Sequence, residues 1–421
     1  LGIFEKLAGG TVIVRKNATL AAFLVLIVLL TACADEQGEY ENRYEYEYEY
    51  EYEYEEVAIV EEVFAEEVYI PEIAICPIDE KISQLTAEEK IGQLFMLRLP
   101  WQTLYVNEAV RNLFDAIPMG GVILFGDNAD SAQQVQELTA QLQELSRLPL
   151  NIAIDEEGGR VSRVGRFFSD GATPSAYAIG ESAYPEDMAF SMGQYIAREL
   201  TALGINMNFA PVADIWSNPQ NAVIGNRAFG RTSDTVAPLV AAKVNGLQES
   251  GVPAVVKHFP GHGDTYEDSH FQMAVHHHDM ERWRTTEAVP FISGIDAGAK
   301  GVMIGHIATP AITDDYVPTT FSSFWLQDIL RGELGFDGLI ITDALEMRAL
   351  TNYHNCGEIA VKSFLAGADI LLMPHNHNEA FNAMLEAYET GVFTSERLSE
   401  SLRRILILQN PKYLVRRKPC R

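Results

Sequence analysis

Eight short apolar runs rich in β-branched residues recur between Leu94 and Met373, and they constrain the fold more than any other feature. They occupy residues 94–97, 121–125, 151–155, 207–211, 254–258, 301–306, 338–343 and 369–373. Between them lie stretches of helical period, such as Met192, Ile196, Leu200 and Leu203, closed by Gly204 as a C-cap. Apolar runs without alternation suit strands covered on both faces, which is the condition of parallel strands joined by crossover helices. Eight such units closing on themselves predict an α/β protein of the (β/α)8 TIM barrel class with a single catalytic domain. A doubly wound open sheet is the alternative, but no glycine-rich phosphate loop follows the first run.

In a barrel, chemistry gathers where strands end and the following loops begin. Asp155 ends the third run, Lys257 and His258 the fifth, His306 the sixth and Asp343 the seventh.

The charge is concentrated elsewhere. The 421-residue chain carries a formal charge of −28, and residues 33–68 hold fifteen acids against one arginine. Half the excess acidity therefore belongs to a tail. Neither tail nor remainder offers the basic footprint that nucleic-acid binding needs, so that class is excluded. Residues 44–55 alternate Tyr and Glu, a low-complexity and self-repelling stretch that reads as a solvated tether.

Ahead of it, Arg15 and Lys16 precede an apolar run over 18–30, too short for a comfortable bilayer span and suited to a signal-peptide core. Leu30-Thr31-Ala32-Cys33 resembles the bacterial lipoprotein box, which implies lipid on Cys33 and an extracytoplasmic, membrane-anchored protein. An ordinary signal peptide cleaved after Ala32 and an uncleaved anchor are the other readings. The expected organisation is a signal peptide over 1–32, an acidic tether over 33–78 and a catalytic domain over 79–421, with a short basic tail beyond Asn410. Cys76, Cys356 and Cys420 are scattered and show no CxxC spacing, so neither a disulfide framework nor a cysteine-zinc site is indicated.

The most specific stretch runs from Lys257 through His258-Phe259-Pro260-Gly261-His262-Gly263-Asp264 to Asp268-Ser269-His270. With Asp155-Glu156-Glu157-Gly158-Gly159-Arg160, the segment Gly225-Asn226-Arg227, and Thr342-Asp343-Ala344 in the same order, it resembles the β-N-acetylglucosaminidase (β-N-acetylhexosaminidase) branch of glycoside hydrolase family 3 over roughly residues 80–410. The resemblance implies that Asp343 is the nucleophile and His270 the general acid/base, with Asp268 as its partner. A carboxylate suits the first task because the glycosyl transition state is oxocarbenium-like. An Asp-Ser-His turn lets the carboxylate hold one ring nitrogen and fix the tautomer of the other. Asp155, Arg163, Arg227, Lys257 and His258 are implied as the grip on the terminal sugar. His262 is expected to organise its loop, and Asp214 to brace the site or touch substrate.

The implied activity is that of a retaining exo-β-N-acetylglucosaminidase working on cell-wall fragments or chitin-type oligosaccharides, without cofactor or metal. The rival readings are a phosphorylase of the same branch and a non-catalytic wall-binding lipoprotein. A β-glucosidase is disfavoured, because that branch generally lacks the Asp-Ser-His dyad. The partners expected are a carbohydrate and, through the lipid, a membrane; oligomeric state has no sequence mark. His276, His277 and His278 invite a zinc reading, but adjacent histidines do not face one ion, and we read an exposed segment leading into a helix that contains Trp283 and Pro290.

Overall fold

The computed structural model describes residues 77–409, which fall within one compact unit, Glu72–Arg421. The leader, Cys33, Cys76, Cys420, the Glu/Tyr stretch and the tail beyond Asn410 lie outside the described residues.

All eight apolar runs become parallel strands. In chain order the strands are β1 (Phe95–Arg98), β2 (Gly121–Leu124), β3 (Asn151–Ile154), β4 (Met207–Asn208), β5 (Val255–Phe259), β6 (Ala274–Val275), β7 (Gly301–Ile304), β8 (Ile307–Ala308), β9 (Leu339–Thr342) and β10 (Leu371–Leu372). They form a five-stranded sheet in the order β10-β1-β2-β3-β4, a three-stranded sheet β5-β7-β9, and the pair β6-β8, every pairing parallel. Parallel bridges also join Asn208 to Ala254 and Ile341 to Ile370. The architecture is an α/β fold of parallel strands and crossover helices.

Prolines limit the ladder between β4 and β5: Pro211 follows β4 and Pro253 precedes β5, and neither has an N–H to extend it. The pair β6-β8 lies outside the eight runs: Ile307 follows His306, the end of the sixth, and Ala274-Val275 leads straight into the three histidines. The helical reading of Met192 to Leu203 corresponds to the helix Pro185–Ala202, with Gly204 at a positive φ of 75° behind it.

Two expectations need correction. The body starts before Asp79, since the helix Pro77–Ser83 already buries Ile78 and Ile82. Trp283 and Pro290 lie on separate helices, Met280–Thr285 and Ala288–Asp296.

Tight packing fixes β5, whose last residues reach the site. Phe259 meets Trp283, Phe291 and Trp325 edge-on at centroid distances of 5.9, 5.4 and 5.7 Å. The two indoles keep partners while buried: Trp283 donates to the Pro260 carbonyl at 2.8 Å and Trp325 to the Thr309 hydroxyl at 2.8 Å. At the other end of the strands Asp369, fully buried, accepts from Arg331 at 2.6 Å, Ser401 at 2.6 Å and Arg404 at 3.3 Å, tying two outer helices to the sheet.

Candidate active site

The ends of β1, β2, β3, β4, β5, β7, β9 and β10 and the loops after them surround a cavity of about 330 Å³. Asp155, Arg163, Arg227, Lys257, His258, His270 and Asp343 all line it. The sequence-predicted residues therefore converge, although they span nearly two hundred positions. Asp268 is absent from the lining and touches it only through its hydrogen bond to His270.

Asp343 follows β9 directly. Its N–H reaches the Ile304 carbonyl at 2.9 Å, and its Oδ1 accepts from the Ala344 N–H at 2.7 Å, leaving Oδ2 without a bond among the described residues. Burial alone would raise this carboxyl, but the imidazoles of His258 and His306 and the Ala344 N–H hold it below the usual carboxylate range. The group is a carboxylate at neutral pH. Beneath it His306 bridges the Thr320 hydroxyl at 2.6 Å and the Ala344 carbonyl at 3.0 Å, and burial lowers its pKa. A neutral His306 that donates through Nε2 to a carbonyl must accept at Nδ1 from Thr320, which fixes the turn carrying Asp343.

His270 stands on the long loop after β5. Its Nδ1 lies 2.7 Å from Asp268 Oδ1, and its backbone N–H donates to the same oxygen at 2.9 Å. Because the carboxylate can only accept, the proton sits on Nδ1 and Nε2 is left toward the cavity. The side chain is 60% exposed, so water and large leaving groups reach it.

One wall of the cavity is an ion-pair network. Lys257 Nζ lies 2.6 Å from both Asp155 Oδ1 and Glu157 Oε1. Arg227 grips Glu157 with two parallel bonds of 2.7 and 2.8 Å, and its Nη2 lies 3.3 Å from His258 Nε2. Burial would raise the Glu157 carboxyl, yet Arg227 and Lys257 hold it far below its ordinary value. His258 Nδ1 in turn donates to Asp214 at 2.7 Å, and Asp214 also accepts the His262 N–H at 2.6 Å. Burial opposes ionisation of Asp214, but His258 and His262 outweigh it and keep the carboxyl ionised. Asp214 lines no part of the cavity; it braces.

Arg163 is delivered by a turn whose N–H groups at Arg163 and Val164 bond Glu156 Oε2 at 2.8 and 3.0 Å. Its guanidinium sits 5.5 Å from the Phe125 ring centre, and its Nε is buried without a hydrogen bond among the described residues. On the same ring, at 4.6 Å, lies Arg98, a cavity residue that sequence reading missed. Glu157 and Glu346 were also missed as site residues, whereas His306 was marked as a polar residue at a strand end. Glu157 had a visible mark, its place two positions after Asp155 at a strand end; Arg98 had only its place at the end of β1.

His262 is buried and spans Thr265 at 2.7 Å and Ser269 at 3.0 Å, so it organises the loop as expected. The next glycine is required: a Cβ on Gly263 would collide with the Ile215 carbonyl. The triple histidine differs from its expected exposure. His276 is 1% exposed, His278 is half-buried and bonds Asp264 at 2.6 Å, and His277 faces solvent. Among the described residues no group of three or more His, Cys, Asp or Glu converges on a metal position.

This geometry can grip polyhydroxyl rings, present a carboxylate from one side and exchange a proton from another. Comparison with known proteins points the same way. Residues 86–408 match the model of the glycosyl hydrolase family 3 N terminal domain. Beta-hexosaminidase A of Pseudoalteromonas piscicida is 37% identical over 325 residues, covering 70% of this chain and 54% of that protein. A beta-hexosaminidase of Nitrosomonas eutropha is 42% identical over 269 residues, covering 62% of this chain and 75% of the relative. The structure of a glycoside hydrolase family 3 beta-N-acetylglucosaminidase from Paenibacillus sp. str. FPU-7 superposes with a TM-score of 0.75 and 40% identity, covering 80% of this chain and 64% of that one. The chain thus spans little more than half of the first of these proteins and under two thirds of the last. From its matched span and its shared architecture, the chain belongs to glycosyl hydrolase family 3.

Proposed function

We propose that the chain is a retaining exo-β-N-acetylglucosaminidase that removes terminal β-linked N-acetylglucosamine. The observation that carries this reading is the meeting of Asp343 and the Asp268–His270 pair at one small cavity with a charged sugar grip. The names of the relatives, beta-hexosaminidase and beta-N-acetylglucosaminidase, support the substrate class.

In the first step Asp343 Oδ2 attacks the anomeric carbon while His270 Nε2–H protonates the departing oxygen. The Asp268 carboxylate stabilises the charged imidazole before that transfer and holds the ring in register. In the second step His270 takes a proton from water, which attacks the glycosyl-aspartate and restores both residues. Asp155, Arg163, Arg227, Lys257 and His258 bind the ring hydroxyls and acetamide. Lys257 has spent two donors on Asp155 and Glu157 and keeps one for a hydroxyl.

The finer fold reading is a closed (β/α)8 barrel forming the catalytic domain. It is supported by the Asn208–Ala254 and Ile341–Ile370 bridges, which lie at the two seams between the five- and three-stranded sheets. For location, the 30–33 tetrapeptide supports lipidation of Cys33 and anchoring outside the cytoplasm, with peptidoglycan fragments as the substrate within reach. Labelling with a radioactive fatty acid should mark wild type and leave Cys33→Ala unmarked.

Turnover of a nitrophenyl β-N-acetylglucosaminide against the β-glucoside, with and without phosphate, tests the activity. The reading expects hydrolysis of the acetylated substrate alone and free N-acetylglucosamine in both buffers. A sugar phosphate product would make the chain a phosphorylase, and absence of turnover in folded protein would favour a wall-binding role.

A further inference from the structure

The loop that carries His270 is long, and its two halves are anchored to different parts of the fold. The first half is tied to the loop after β4: the Asn218 amide donates to the carbonyls of Asp264 and Thr265 at 3.4 and 3.2 Å, and the Asn221 amide to that of His262 at 2.7 Å. The second half is held by β6, which pairs with β8, and by the His276 N–H on the Ala308 carbonyl at 2.9 Å. Between these anchors runs the tip with Asp268 and His270. Since the His270 side chain is 60% exposed, packing does little to place it, and its position follows the loop backbone.

Two side-chain bonds cross the loop, one between His262 and Ser269 at 3.0 Å and a shorter one at its base. Asp264 accepts from Ser217 Oγ through Oδ1 at 2.6 Å and from His278 Nε2 through Oδ2 at 2.6 Å. A longer contact, Val275 N–H to Glu267 at 3.4 Å, runs parallel to it nearer the tip. We propose that the Asp264–His278 bond is a clasp that closes the catalytic loop at its base and sets where His270 stands, making Asp264 and His278 positioning residues for proton transfer. The inference rests on the reading of His270 as acid/base. Neither residue lines the cavity, so each acts through the loop.

As a partly exposed pair, the clasp contributes little to global stability. Its effect belongs to geometry. A small displacement of a catalytic group slows reaction steeply, by up to about 100-fold for roughly 1 Å. The loss should fall only on reactions that need the proton.

The test is kcat/KM on phenyl and dinitrophenyl β-N-acetylglucosaminides, for wild type, His278→Ala, His278→Gln, Asp264→Asn and His270→Ala. Phenol needs protonation to leave and dinitrophenol does not. His278→Ala should lose on the order of 10- to 100-fold on the phenyl substrate while the dinitrophenyl substrate stays within about twofold. His278→Gln retains an N–H donor and should recover most of the loss. Asp264→Asn gives the same readout from the other side, should His278→Ala not fold. Equal losses on both substrates, or none on the phenyl substrate, would overturn the clasp. If His270→Ala itself fails to discriminate between the two leaving groups, the acid/base reading falls; if it discriminates and the clasp variants do not, the clasp alone falls.

Discussion

At the scale of single residues, Glu157 is the centre of the cavity's ion-pair network. It is 6% exposed and holds both Lys257 and Arg227, so removing its charge leaves two buried cations short of a partner. Glu157→Gln should cost about 3–5 kcal/mol of stability and weaken substrate binding, read as a lower thermal midpoint and a raised KM. Asp343→Asn should leave the fold intact and lower kcat on the order of 10⁴-fold or more, because a neutral amide neither attacks the anomeric carbon nor stabilises the positive charge that develops there. That Asp343, His270 and the charged residues around them meet at one cavity was legible because the signals are local: a polar residue at a strand end, or an acid two positions from a histidine. The bracing shell was legible only in part: Asp214 and His306 stood out as residues, but their partners lie 44 and 38 positions away, and no spacing rule connects them.

At the scale of elements, the eight runs were legible because buried parallel strands are apolar throughout, while the shortness of the β4–β5 ladder turns on Pro211 and Pro253, which have no N–H to give it. The triple histidine was misread because its neighbours come from elsewhere: Glu287 lies 3.9 Å from His276, and Asp264 contacts His278. Asp369 shows how the outer helices are held. With one buried carboxylate serving Arg331, Arg404 and Ser401, Asp369→Ala should destabilise the protein by about 3–5 kcal/mol, measured by denaturant unfolding, while the cavity at the opposite strand ends keeps its geometry. Comparable loss from an exposed control such as Asp234→Ala would contradict that assignment.

At the scale of the whole molecule, stability should depend on pH in one direction. Burial, reinforced by nearby positive charge, lowers His262 and His276 from an ordinary 6.5 to about 4. Folded protein keeps both neutral while unfolded chain protonates them, so stability is full above 6.5 and falls as pH drops toward 4. Glu157, Asp214 and Asp343, held low in the fold, add losses as pH falls further through their depressed values; Glu156, raised by burial, works weakly against the trend. Thermal midpoints between pH 8 and 4 should decline most steeply below 6.5, and a flat profile would refute the neutral, buried state of these histidines.

The most direct test of the whole account is the site of covalent attachment when the enzyme is trapped with a fluorinated N-acetylglucosaminyl donor whose adduct is released slowly. Peptide mapping should place the sugar on the peptide containing Asp343, at the side chain of that residue. An adduct on Glu346, which shares the cavity, or rapid turnover without any adduct would contradict it.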